Sequence, residues 1–428
     1  MGKRLIIGCL ADDFTGAGDA ASFIAKSGMK TMLFGGVPED AKIRDIDAAV
    51  IALKTRTEEK EKAVADSLRA AEWLLKMGAQ HLYIKYCSTF DSTDEGNIGP
   101  VMDAVLERYK ERASILCPAL PVNGRTVRGG KLYVNGILLE ESSMRYHPLT
   151  PMCQSDIGKL MEPQSSYPCV MLNQEIMARP REEIWDHIEQ ETAGLKHCYL
   201  VPDYETDGDG VKIAEVFGGM RILSGGSGIL TELCSRYRKE GREKEYYDRQ
   251  LKGCTKGKGI IMAGSCSAAT NRQVKEFCQS GNYAYKVEPG KLKTGKQTVE
   301  SVWKEIEGEA AEREILVYSS DEPDKVKEAQ KSGKEEMAAL IEDFFAGLAV
   351  KAEAFGYKRI IVAGGETSGA VTKALGYGAY YICESIAPGV PIMIPEKNPQ
   401  IRLVLKSGNF GQPDFFLEAL QQTGQKED

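Results

Sequence analysis

The chain has 428 residues, 42% hydrophobic and 27% charged, with a formal net charge of −7. This is the composition of an ordinary globular protein long enough for two or three hydrophobic cores. Mild acidity without a long basic block argues against nucleic acid or an anionic membrane surface as the main partner, and no apolar stretch approaches the roughly 18 residues needed to span a bilayer.

The start, "MGKRLIIGCLADD", has a basic beginning and a short apolar run, but it meets two aspartates with no cleavage region. It reads as a first strand, not a signal peptide. The eleven cysteines are never spaced C-x-x-C, and the four histidines form no ligand-like pair. Both facts argue against a zinc site and place free thiols in a reducing cytoplasm. Short β-rich runs follow: "RLIIGCLA" (4–11), "AAVIAL" (48–53), "HLYIKY" (81–86), "ASILCPAL" (113–120), "PCVMLN" (168–173), "HCYLVP" (197–202) and "RILSGG" (221–226). Helical patterns such as 58–78 lie between several of them, which predicts an α/β fold with a parallel, helix-covered sheet. Ligands of such sheets collect at the carboxyl ends of the strands.

From 237 to 258 the chain turns charged and carries no apolar stripe wide enough for a core. Strand patterns restart with "GIIMAGSCS" (259–267), "YAYKVEP" (283–289), "EILVYSS" (314–320), "RIIVAGGETSG" (359–369), "YYICESI" (380–386) and "IRLVLKSGNFG" (401–411), with a long helical pattern over 334–355. Two domains are expected, 1–236 and 257–428, each with a mainly parallel sheet. The one low-complexity stretch is the tail "QQTGQKED".

Chemistry concentrates in the strand-end loops. Asp12 and Asp13 stand between the first strand and the glycine-rich "TGAGDAA". That pair would repel a phosphate but suits hydroxyls, protons or a metal ion. "IKYCSTFDSTDEGNIGP" (84–100) supplies Lys85, Ser88, Thr89, Asp91, Ser92 and Asn97, and "LKTRTEE" adds Arg56. These donors and acceptors fit a small polyhydroxy acid. The competing reading has Ser and Thr capping a helix while Asp91 satisfies a loop. In the second half, Gly364, Gly365, Glu366 and Thr367 join a strand to a helix whose first N–H groups suit a phosphate. An ordinary glycine turn capped by Thr367 or Ser368 is the alternative. Ser265, Ser267 and Thr270 follow another strand, and Gly408, Asn409 and Gly411 follow the last one. "GAGDAA" (16–21) matches a dinucleotide fingerprint, but the two aspartates before it and the lack of an acid after "KTMLFGGVP" argue against a nicotinamide cofactor.

Read together, "ADDFTGAGD", "CSTFDSTDEGNIGP", "CPALPVNGRTVRGG", "GGSGI", "GSCSAATNRQ", "GGETSGAV" and "SGNFGQPDFF" resemble, in order, the motifs of the four-carbon acid sugar kinase family. "CSTFDSTDEGNIGP" and "ESSMRYHPLTPM" (141–152) are most similar to its 3-oxo-tetronate branch, and His147 stands where other members usually carry an acid. The resemblance implies a sugar-acid-binding domain, an ATP-binding domain and an active site in the cleft between them. It implies transfer of the ATP γ-phosphoryl to the O4 hydroxyl of a four-carbon 3-oxo acid, with Mg²⁺ as the metal and its protein ligands unknown. Asp12 and Asp13 become the catalytic candidates; Arg56, Lys85, Ser88, Thr89, Asp91 and Asn97 bind the acid. Ser265, Gly364, Gly365, Glu366, Thr367, Gly408 and Gly411 bind the nucleotide. Threonate or erythronate kinases and a non-catalytic sugar-acid or nucleotide sensor are the alternatives. A homo-oligomer is compatible with the sequence.

Overall fold

Strands that read as unbroken apolar runs are those that parallel sheets bury on both faces. In the computed structural model, which describes residues 5–39, 46–146, 150–237, 252–320 and 334–425, most of them do so, while the edge strands Cys169–Leu172 and Tyr283–Lys286 are only partly buried. Most of the expected connector, His147 and the last three residues lie outside the described residues. The chain divides into two compact units, Met1–Glu243 and Lys244–Asp428.

The first unit carries β1 (Ile7–Ala11), β2 (Thr31–Phe34), β3 (Ala48–Ala52), β4 (His81–Lys85), β5 (Ala113–Cys117), β6 (Arg125–Arg128), β7 (Lys131–Val134), β8 (Ile137–Leu138), β9 (Cys169–Leu172), β10 (Cys198–Pro202) and β11 (Ile222–Gly225). Eight of them form a parallel array in the order β2-β3-β1-β4-β11-β5-β10-β9. Register places Ala11 opposite both Ala52 and Lys85, so the loops after β1, β3 and β4 leave the same edge side by side. Strands β6, β7 and β8 make a small antiparallel sheet of their own, which the strand patterns did not reveal. Short alternating segments around paired glycines carry little periodic signal.

Helix Phe14–Lys26 lays Ala17, Gly18, Ala20 and Ala21 on its buried side. The helix Lys60–Lys76 packs closely on β1, because a Cβ on Gly8 would stand 2.8 Å from the Leu74 Cβ.

The second unit carries β12 (Gly259–Ala263), β13 (Tyr283–Lys286), β14 (Ile315–Tyr318), β15 (Arg359–Ala363), β16 (Ala379–Ala387), β17 (Val390–Pro395) and β18 (Arg402–Lys406). Their order is β13-β14-β12-β15-β18-β17-β16. The first five are parallel, while β17 runs antiparallel to both β18 and β16. The sequence hid β17 because Pro391 and Pro395 argue against a strand there. The core of this unit joins Ile261, Phe277, Leu316, Ile361, Val404 and Phe416. The helix Phe415–Thr423 runs into the tail, and Thr423 is fully buried. The Thr255 N–H donates to the Thr423 carbonyl at 2.9 Å, which ties that end to the start of the unit.

Candidate active site

Adjacent parallel strands bring three loops to one edge, and the loops bring their charges. Asp12 accepts from Arg56 Nε at 2.8 Å and Nη2 at 2.9 Å, a two-pronged pair across 44 residues of sequence. Asp13 Oδ2 lies 2.7 Å from Arg56 Nη1, and Asp91 Oδ2 lies 4.0 Å from that nitrogen. The other oxygen of Asp13 accepts from the Gly16 N–H at 2.5 Å and caps helix Phe14–Lys26. Capping and the charged cluster are thus two uses of one side chain. Asp13 is the more open of the pair, with 34% of its side chain exposed against 14% for Asp12.

Beneath this cluster lies a second one. Lys85 Nζ is 3.7 Å from Asp19 Oδ2, which also accepts from Ser227 Oγ at 2.5 Å. Burial pushes the Asp12 and Asp19 carboxyls above their ordinary values, against the pull of Arg56 and Lys85 respectively. Burial pulls the two cations down, but Asp12 and Asp13 hold Arg56 well above its ordinary value, and Asp19 and Asp12 hold Lys85 above its own. The cations therefore stay charged. A cavity of about 30 Å³ lies between Asp12, Arg56, Lys85, Asp91 and Asn97, with room for water.

The 84–100 loop is built around strain. Phe90 and Asp91 both adopt left-handed backbone, at φ 66° and 49°, which costs non-glycine residues about 1–3 kcal/mol each. Thr89 Oγ1 donates to Asp91 Oδ1 at 2.8 Å, and fully buried Phe90 stands 5.7 Å from the Tyr86 ring. Asn97 spends its amide on the carbonyls of Thr55 and Glu58, both at 2.8 Å, and so fastens the loop that carries Arg56. Asn97 precedes the helix Ile98–Tyr109 without capping it through its side chain. Ser92 turns to Gln164 at 2.7 Å, and Ser88 is half-buried.

In the second unit, β12, β15 and β18 are neighbours, so the three small-residue loops also meet. Gly364, at φ 127°, precedes helix Gly365–Leu375, and neither Thr367 nor Ser368 caps it. A Cβ on Gly264 would stand 2.1 Å from Thr367 Oγ1, and one on Gly408 would stand 2.4 Å from Ser265 Oγ. Ser267 Oγ donates to the Gly408 carbonyl at 2.5 Å, and Gln273 Nε2 donates to the carbonyls of Phe410, Gly411 and Gln412. Glu366 is exposed on the first turn. The result is a backbone-rich surface beside an uncapped helix start.

Residues 7–233 match a family model described as a sugar-binding N-terminal domain, and residues 260–416 match one described as a nucleotide-binding C-terminal domain. A 3-oxo-tetronate kinase of Cupriavidus necator is 39% identical, covering 99% of this chain and 98% of that protein. One from Brucella melitensis is 41% identical, covering 99% and 97%. The chain belongs to the four-carbon acid sugar kinase family. Its fold is similar to that of a solved Haemophilus influenzae protein of the DUF1537 family, with a TM-score of 0.79 and 36% identity over 96% of this chain and 98% of that one. It is also similar to a Salmonella typhimurium LT2 structure described as a tRNA synthase, with a TM-score of 0.87 and 35% identity over 98% and 100%.

Two participants in this family member's charged cluster were missed in the sequence, Asp19 and Ser227. The signal for Asp19 was an acid on a helix face otherwise made of Gly and Ala. Ser227 lies 208 residues away and gave none.

Proposed function

We propose that this chain transfers the γ-phosphoryl group of ATP to the O4 hydroxyl of 3-oxo-tetronate, giving the 4-phosphate. The observation that carries this reading is the likeness to curated 3-oxo-tetronate kinases along nearly the whole chain. The two loop clusters support it, one rich in charge and hydroxyls, the other in glycine and free helix N–H groups. Residues 1–236 take the acid and residues 257–428 take the nucleotide.

In the reaction the O4 oxygen forms a bond to the γ-phosphorus as the bond to the bridging oxygen of ADP breaks, and the hydroxyl proton leaves to a base. Such transfers ask mainly for positioning and charge neutralisation. Asp13 is the base in this reading: it is the more open aspartate, and Gly16 and Arg56 fix it from two sides. Asp12, with both oxygens on Arg56, holds the guanidinium in place. Arg56 and Lys85 answer the acid's carboxylate, while Ser88, Thr89 and Asp91 pair with its oxygens. Asn97 acts by holding the Arg56 loop. On the nucleotide side, Ser265, Gly364–Thr367 and Gly408–Gly411 lay backbone against the phosphates.

Mg²⁺ accompanies the nucleotide and neutralises phosphate charge when bound. Among the described residues no group of three His, Cys, Asp or Glu is arranged to hold a metal. An ion carried mainly by phosphate oxygens and water asks little of the protein, so no protein ligand is assigned.

The test is ADP release by the purified chain with ATP, Mg²⁺ and a panel of four-carbon acids. Fastest turnover with 3-oxo-tetronate is expected. Turnover confined to D-threonate or D-erythronate would move the chain to another branch, and binding without turnover would make it a sensor.

A further inference from the structure

Lys406 ends β18 with a side chain wholly removed from solvent. Its Nζ lies 3.0 Å from Thr270 Oγ1, 3.1 Å from the Ser407 carbonyl and 3.0 Å from the Gly408 carbonyl. The Phe415 ring centroid is 6.0 Å away. All three oxygens act as acceptors, because the Thr270 hydroxyl donates its own proton to the Gly408 carbonyl at 3.0 Å. The three oxygens match the three N–H groups of an ammonium, so the pocket is shaped for the charged form of the side chain.

Among the described residues that charged form finds no counter-charge. No carboxylate of helix Ala268–Gln279, of β15, of the 407–412 loop or of helix Phe415–Thr423 among them forms an ion pair with it. Burial alone pulls its pKa down to about 7. Buried charges are ordinarily paired, since an isolated one is costly. The place where this one goes unpaired is the carboxyl edge of the sheet. There its carbonyl partner, Gly408, stands against Ser265 and Ser267.

We propose that Lys406 is a positioning residue of the nucleotide site, a built-in cation whose missing counter-charge is the polyphosphate of the bound nucleotide. The proposal rests on the nucleotide-binding reading of this unit. Lys406 acts through Thr270 and Gly408, holding the last glycine loop against the start of helix Ala268–Gln279. Phosphates brought beside that loop favour the ammonium, so binding above neutral pH draws a proton onto Lys406.

The experiment is calorimetric titration of the full-length chain with MgADP at about pH 8, in buffers of different ionisation heat. Phosphate groups are already deprotonated there, so uptake reports the protein. Wild type is expected to take up a proton on binding. Lys406→Met is expected to take up none and to bind about tenfold to a hundredfold more weakly, the scale of a lost charge-assisted contact. Its affinity for 3-oxo-tetronate should not change. A merely structural lysine would not move the proton count. Should Lys406→Met fail to fold, Thr270→Val decides: removing one acceptor from the ammonium should lower the pH midpoint of uptake. Nucleotide binding without proton uptake, wild-type affinity in a folded Lys406→Met, or an unshifted midpoint in Thr270→Val overturns the proposal. Wild type that binds no nucleotide at all refutes the underlying reading instead.

Discussion

Asp13 has a structural duty and a proposed chemical one, and Asp13→Asn separates them. Asparagine is as good an N-cap as aspartate, so the bond to the Gly16 N–H survives the change. What disappears is the negative charge 2.7 Å from Arg56 Nη1. That contact is open to solvent on the Asp13 side, and Arg56 keeps its two-pronged pair with Asp12, so the loss is about 0.5–1 kcal/mol. At roughly 2–4 °C per kcal/mol for a unit of this size, the melting temperature should fall by less than about 4 °C. Turnover should fall much further, by about 10²–10⁴-fold, the usual cost of removing a general base. Asp13→Ala adds the loss of the cap, about 1 kcal/mol more, with a similar kinetic defect. Coupled ADP-release kinetics beside thermal unfolding measure both effects. Asp13→Asn with more than about a tenth of wild-type turnover would remove Asp13 from the chemistry and leave it the cap of its helix.

Other perturbations address other parts. Gly408→Val would place a Cβ 2.4 Å from Ser265 Oγ and 3.1 Å from Ser267 Oγ; titration with a fluorescent nucleotide should show weakened binding while 3-oxo-tetronate binding persists, and undiminished nucleotide affinity contradicts the loop assignment. The folded pKa of Lys406, about 7, lies below its ordinary 10.5. The folded state therefore binds fewer protons than the unfolded state between those values, and stability rises with pH across that window. The unfolding free energy from denaturant titrations should rise from pH 7 upward in wild type relative to Lys406→Met, by up to about 5 kcal/mol in all, and a flat difference contradicts the unpaired ammonium. Expressed separately, residues 1–236 should bind the acid and residues 257–428 the nucleotide, with turnover only in the intact chain; calorimetry showing ATP bound by the first fragment would reverse the assignment.

The sequence by itself determined the α/β class, because strands buried on both faces must be written as short continuous apolar runs and their helices as wider amphipathic patterns. It also pointed to the strand-end loops, since polar residues after such runs fall at the carboxyl edge whatever the strand order. The order itself is a tertiary fact. Only the placing of β1 between β3 and β4 brings Arg56 onto Asp12 and Asp13, and only the entry of β11 beside β4 delivers Ser227 to Asp19. Strand β17 escaped notice because its prolines oppose the local preference that neighbouring strands override. Lys406 was legible as a letter at the end of an apolar strand, but its lack of a counter-ion among the described residues was not. Whether a buried charge is paired depends on every element packed around it, and those elements come from stretches of chain more than a hundred residues apart.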